Sequence, residues 1–392
     1  MNTTLNIAEY LPQDIDNALL VGRVWRDDGN PGPALVVIRA GEVFDISAQV
    51  DCMADLLDGD NVSHFVRTVE GESLGSVTTL LHNSMAEPAV APYLLAPCDI
   101  QAIKACGVTF AVSLLERVIE EQAGGNAAKA SQLRAELNEL IGQDLSHIKP
   151  GSEEATTLKA TLQARSAWSQ YMEVGLGPDA EVFTKSQPLS AVGFGSSVGL
   201  HPASKWNNPE PEIVLAVDSE GTPKGATLGN DVNLRDIEGR SALLLGKAKD
   251  NNASCSIGPF IRIFDVNYTL DDVRKAQVSL RIEGKDDDFL LVDQSDMLKI
   301  SRDPLDLVQQ TIGAHHQYPD GFMLFLGTMF SPIQDRGGKG QGFTHNVGDR
   351  VTISTPSLGA LVNHVDYSDR LAPWTFGIRS WQQHIANKRA CR

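Results

Sequence analysis

The segment "PEPEIVLAVD", residues 209–218, sets two carboxylates at the head of a five-residue apolar run. Ile213–Val217 reads as a buried strand, because a short, uninterrupted apolar run leaves no face for water. Side chains alternate faces along a strand, so Glu210 and Glu212 share one face, where like charges repel. Such a pair needs either water at an open strand end or a positive charge between the two side chains. Pro209 and Pro211 lack N–H donors and predict that this end lies at a sheet edge.

The chain downstream supplies more charge. "LGNDVNLRDIEG" carries Asp231 and Asp236, and "LLLGKAKDNNASCSIGP" carries Lys247 and Lys249. Glu210, Glu212 and Asp231, on strands and with no Cys or His nearby, suit a hard divalent cation. Mg²⁺ fits, with Mn²⁺ or Ca²⁺ as alternatives, because carboxylates and substrate oxygens satisfy such ions. Taken alone, the glutamate pair fits a wet strand end equally well; the downstream acidic and lysine segments favour the metal. Arg235 and Asp236 read as a structural ion pair beneath the site.

Around this core the pattern is α+β and β-rich. Residues 17–50 alternate apolar runs with turn signals, predicting a small β-rich N-terminal domain over 1–95. "MAEPAVAPYLLAPCD" (85–99) reads as a linker. From 96 to 392 a catalytic domain is expected, with a helical insertion over 111–171 in three helices broken at "AGGN" and "HIKPGS". Strands resume after Gly175, with one further helix near 302–316.

Composition narrows the partners. Fifty acidic against 33 basic residues, a formal charge of −17, disfavour nucleic acid and anionic membrane. "GFGSSVG" (193–199) is not a dinucleotide fingerprint. No apolar run reaches the roughly 20 residues of a membrane helix, and "MNTTLNIAEYLPQDIDN" has no leader-like pattern. Five scattered cysteines without CxxC predict a reducing, cytoplasmic setting.

The order PEPE, then NDVNLRD, then Lys249 nine residues before Gly258-Pro259, resembles the fumarylacetoacetate hydrolase family. "EVFTK" (181–185), "LFLGTMFSPI" (324–333) and "VGDRVTISTPSLGALVNHV" resemble further segments of that family, so the likeness runs over about 96–370. It implies a mixed β-sandwich roll, a metal held by Glu210, Glu212 and Asp231, a 2-keto acid substrate, a catalytic Lys249, and a homodimer or homotetramer. It further implies that Thr328 binds substrate.

Where the family's hydrolases carry a lid motif with Tyr and His, this chain has Phe110 and Ser113, while Glu116 remains. Loss of that His points away from hydrolysis and toward the sugar-acid dehydratase branch. Members of that branch dehydrate 2-keto-3-deoxy-pentonates, such as those derived from D-arabinonate, D-xylonate or L-arabinonate, to 2,5-dioxopentanoate. The alternative is an acylpyruvate-type hydrolase or decarboxylase. The C3 base is Lys249 in neutral form or a glutamate, and a lysine base at neutral pH needs a lowered pKa. Glu181 and Glu116 are the candidate acids, and the resemblance implies Phe110 and Ser113 as substrate-side lid residues.

Overall fold

The computed structural model describes residues 7–130, 132–133, 148–164, 168–330, 332–338 and 341–390. The chain opens with β1 (Leu20–Arg26), β2 (Gly32–Arg39) and β3 (Glu42–Asp45), then α1 (Met53–Leu57) and α2 (Val62–Thr68). β4 (Glu72–Ser76), α3 (Val77–Met85) and β5 (Tyr93–Leu95) follow. The expected linker thus contains β5, paired antiparallel with β1. Next come β6 (Ala102–Gly107), α4 (Ala111–Ala123), α5 (Glu153–Ala164) and α6 (Gln170–Leu176). α4 stops where "AGGN" supplies Gly124 at φ 62°, a left-handed position that glycine adopts without steric cost. The helix expected over 127–142 lies mostly outside the described residues. The expected third helix is divided into α5 and α6.

The remaining elements are β7 (Glu181–Ser186), β8 (Ser197–Leu200), β9 (Pro211–Val217), β10 (Pro223–Asp231), α7 (Arg235–Glu238) and α8 (Leu245–Lys249). After these come β11 (Cys255–Ile263), α9 (Leu270–Arg274), β12 (Gln277–Glu283), β13 (Leu290–Asp296), α10 (Pro304–Thr311), β14 (Phe322–Phe325), β15 (Arg350–Thr355), β16 (Gly359–Tyr367) and α11 (Ile378–Ala390).

Two sheets form. One follows the order β4-β3-β2-β1-β11-β10-β9-β14-β6-β7, with β5 beside β1; the other is β13-β12-β15-β16-β8. β1 pairs with β11, so the N-terminal strands and the later strands share one sheet.

β9 is buried along its whole length, and the reason is visible on its two faces. Ile213, Leu215 and Val217 pack into the core shared with Leu280, Ile282, Ile353 and Val362 of the second sheet. Val214 and Ala216 join the opposite core with Met53, Leu57 and Val66 from α1 and α2. Each large side chain so buried contributes about 1.5–3 kcal/mol. A third cluster belongs to the helical segment: Leu114, Val118 and Ile119 of α4 meet Tyr171, Met172 and Trp206. Among the described residues, no helix is long and apolar enough to cross a membrane.

A buried carboxylate cleft

β9 lies between β10 and β14 in the sheet interior, not at an edge. Its N-terminal end still runs past β14, whose pairing with β9 stops at Val214. Beyond that point the face carrying Val214 and Ala216 becomes acidic, with Glu212 and then Glu210. The Asp231 N–H donates to the Glu210 carbonyl at 3.0 Å, which sets Asp231 directly across the ladder on the same face. The oxygens of Glu210, Glu212 and Asp231 lie within 4.8 Å of one another, and all three residues are buried. The wet strand end is thereby excluded.

Glycines make room at two places. The Gly327 N–H donates to Glu212 Oε2 at 2.6 Å. Gly327 sits at φ 90°, and a Cβ there would lie 2.0 Å from Thr109 Oγ1, so no other residue fits. Glu181 stands opposite Gly107 in the β6–β7 register, and a Cβ on Gly107 would lie 2.1 Å from Glu181 Oε2. The bare strand position lets the Glu181 carboxylate lie across its neighbour.

Three cations answer this charge. Lys249, at the end of α8, bonds Glu210 Oε2 and reaches Asp231 Oδ2 at 3.1 Å. Lys247 is exposed, so the geometry selects Lys249 of the two. Lys185 of β7 is fully buried, 2.8 Å from Asp231 Oδ1, and donates to the carbonyls of Val232 and Lys249. Arg117 of α4 bonds Glu210 Oε1, with Glu120 Oε2 at 2.6 Å and Glu238 Oε2 at 2.8 Å.

Seven expected site residues meet here: Glu181, Glu210, Glu212, Asp231, Lys249, Ser113 and Thr328 all line one cleft. Two do not line it. Glu116 turns to Arg235 at 3.3 Å, and Phe110 is buried at the N-cap of α4. Arg117 and Glu238 line the cleft unforeseen. Arg235 is not paired with Asp236 as expected. It bonds Glu120 Oε1 at 2.7 Å and stacks on Trp206, while Asp236 accepts from Ser204 Oγ and the Lys205 N–H.

Burial raises the Glu181 carboxyl to about 7, with the nearby Glu238 charge adding to the shift. Burial, then Asp231 and Glu210, push Glu212 well above the carboxylate range. Burial also acts to raise Asp231, but Lys185 and Lys249 outweigh it and hold Asp231 low. For Lys249, burial acts downward and is overcome by Asp231, Glu210 and Glu238, so its ammonium is held charged. That is opposite in direction to the lowered pKa a lysine base needs, and it favours the glutamate alternative for the C3 base.

The donor set suits a divalent cation. Five carboxylates line the cleft (Glu181, Glu210, Glu212, Asp231 and Glu238) against Arg117 and Lys249. With Lys185 behind Asp231, ionising all five would leave two negative charges in excess; without a cation, Glu212 and Glu181 are pushed toward their neutral forms instead. The free space among these side chains is about 20 Å³, enough for one water- or ion-sized occupant. Oxygen-only ligands at this spacing are what hard divalent ions take.

Residues 171–366, half of the chain, match the family described as fumarylacetoacetate (FAA) hydrolase C-terminal. The chain belongs to that family, and the two-sheet α+β architecture is its fold. Within it, the chain is 30% identical over 213 residues to a probable 2-keto-3-deoxyxylonate dehydratase of Haloferax volcanii, covering 53% of this chain and 69% of that protein. It is also 30% identical over 192 residues to a 2-dehydro-3-deoxy-D-arabinonate dehydratase of Saccharolobus solfataricus, covering 47% of this chain and 58% of that one. A solved 2-keto-3-deoxy-D-arabinonate dehydratase, complexed with magnesium and 2,5-dioxopentanoate, superposes with a TM-score of 0.62 at 19% identity over 89% of this chain and 99% of that one.

Proposed function

We propose that this chain is a Mg²⁺-dependent hydro-lyase. Its substrate would be a 2-keto-3-deoxy-pentonate, derived from D-xylonate, D-arabinonate or L-arabinonate, and its product 2,5-dioxopentanoate. The observation that carries this reading is Glu181. It is a half-buried carboxyl raised to about 7, lining the same cleft as a three-carboxylate cation site in a chain whose relatives are named as such dehydratases.

Glu210, Glu212 and Asp231 would hold the ion, with Mn²⁺ or Ca²⁺ as alternatives. When bound, it supplies Lewis-acid polarisation of a 2-keto acid, which acidifies the C3 protons. Glu181 then accepts a proton from C3, its value near 7 suiting transfer at neutral pH. The C4 hydroxyl leaves as water, with the Lys249 ammonium as the nearby donor. The C3=C4 double bond then shifts to C4=C5 as a C5 proton is lost and C3 is protonated, and the resulting enol tautomerises to the C5 aldehyde. Thr328 and Ser113 line the cleft where substrate oxygens would sit. A five-carbon acid is larger than this space, so the cleft would widen to admit it; a shift of α4, with Phe110 at its cap, would do so and would exclude bulk water again on closing. No histidine lines the cleft among the described residues, which disfavours the acylpyruvate hydrolase alternative.

Residues 96–392 would form the catalytic part, with 1–95 a small β-rich unit extending its sheet. Exposed Leu290, Val292 and Leu298, on and beside edge strand β13, support a homodimer or homotetramer. Buried, unpaired Cys52, Cys98, Cys106 and Cys255 suit the cytoplasm. The test incubates the chain with Mg²⁺ and 2-keto-3-deoxy-D-xylonate or -arabinonate, coupled to a semialdehyde dehydrogenase. Aldehyde formation is expected; no aldehyde, with pyruvate released from an acylpyruvate, overturns the reading.

A further inference from the structure

Both oxygens of Glu210 are taken: Oε1 by the Arg117 guanidinium and Oε2 by the Lys249 ammonium. A cation ligated by Glu210 must compete with these partners. Lys249 is also held by Asp231. Arg117 differs, because its other partners lie outside the ligand set: Glu120 on its own helix and Glu238 on α7. Both are buried, and both present a carboxylate to Arg117 Nη1.

We propose that Arg117 is a built-in counter-cation for Glu210, a positioning residue that sets how tightly the cleft binds its divalent metal. In the metal-free chain the guanidinium neutralises Glu210 and ties α4 to the head of β9. When Glu210 turns to a cation, Arg117 is released from it without being stranded, since Glu120 and Glu238 remain as partners. A buried charge left without a partner would be strongly unfavourable, so this second resting place is what makes the exchange feasible. Metal occupancy is thereby coupled to the seating of α4, the helix beside the entrance.

The inference rests on Glu210 being a metal ligand. Its sign separates it from a merely structural role. An arginine that only shaped Glu210 would be needed for metal binding, so its loss would weaken affinity. A competing counter-cation opposes metal binding, so its loss strengthens affinity.

The test is calorimetric titration of Mg²⁺ into the EDTA-stripped full chain as wild type, Arg117→Gln, Arg117→Lys and Glu212→Gln. Arg117→Gln is expected to bind Mg²⁺ on the order of tenfold more tightly, the scale of removing one positive charge beside a cation site. Arg117→Lys, which keeps the charge, should stay close to wild type. Equal or weaker binding by Arg117→Gln, with wild type binding normally, overturns the counter-cation role. Wild type that binds no Mg²⁺, or binding unchanged in Glu212→Gln, overturns the metal-site reading itself. Should Arg117→Gln not fold, hydrogen exchange on the wild type decides. Amides of residues 111–123 are expected to exchange faster with Mg²⁺ than in EDTA; unchanged or slower exchange overturns the proposal.

Discussion

The two walls of the cleft are built differently. The sheet wall presents Glu210, Glu212 and Asp231 from adjacent strands whose backbones are locked by ladder hydrogen bonds and buried on both faces. The helical wall presents Arg117 and Ser113 from α4, which reaches the sheet side through side-chain ion pairs and its own small core. A ladder fixes side-chain position through the backbone itself. A helix held by ion pairs can change seat when those pairs exchange partners. The sheet wall therefore suits ligands that must keep their geometry, and the helical wall suits what must move.

The largest expected effect breaks the sheet wall. Glu212→Gln removes one charge of the cation site while keeping its shape, so metal-dependent turnover should fall by roughly a thousandfold or more. Because Glu212 is already pushed toward its neutral form without metal, the fold should survive. Circular dichroism and the coupled aldehyde assay check the two halves of this statement. Retained activity removes Glu212 from the ligand set.

A second change strikes the helical wall. Arg235 bonds Glu120 and Glu116 and stacks on Trp206, joining α7 to α4. Arg235→Met leaves buried Glu120 with a lost partner and should destabilise the chain by about 3–5 kcal/mol, read as a lowered denaturation midpoint. A change well under that range would mean that the helical wall does not depend on this pair.

The same contrast explains what the sequence revealed. At the head of β9, the period of two places Glu210 and Glu212 on one face from spacing alone, and a short, uninterrupted apolar run announces burial on both sides. On α4, successive residues point about 100° apart. Glu116 and Arg117 thus face different partners, Arg235 and Glu210, and no local pattern says which one enters the cleft. Arg117 meets Glu210 across 93 residues of chain, and Glu238 meets Arg117 from a one-turn helix. Such contacts depend on how separate elements dock. The edge expectation for β9 failed for the same reason: prolines report on local hydrogen bonding, and here they mark a strand end overrunning its neighbour inside the sheet. Lys185 lay in the quoted "EVFTK" segment, yet its burial against Asp231 follows only from the β7 position.

The smallest of these effects concerns a residue of the sheet wall that behaves unlike its neighbours. Glu181 is raised to about 7 first by burial, whereas Asp231, more deeply buried, is held low by two lysines. A carboxyl whose folded value exceeds its ordinary 4.5 stabilises the folded chain fully below about that pH, and the contribution is lost as pH rises through about 7. The strain of ionising Glu181 therefore falls in the working range, where a proton-transfer group is most useful. As the base toward C3, Glu181 must be ionised, so kcat/KM should rise with pH along a limb at or below about 7, since a bound cation would favour the carboxylate. Glu181→Gln should abolish that limb and lower kcat by about a hundredfold, the lower end for losing one general base, while Mg²⁺ affinity stays close to wild type. A limb that persists in Glu181→Gln assigns the titration to another group, and a loss of Mg²⁺ binding moves Glu181 from proton transfer into the cation site.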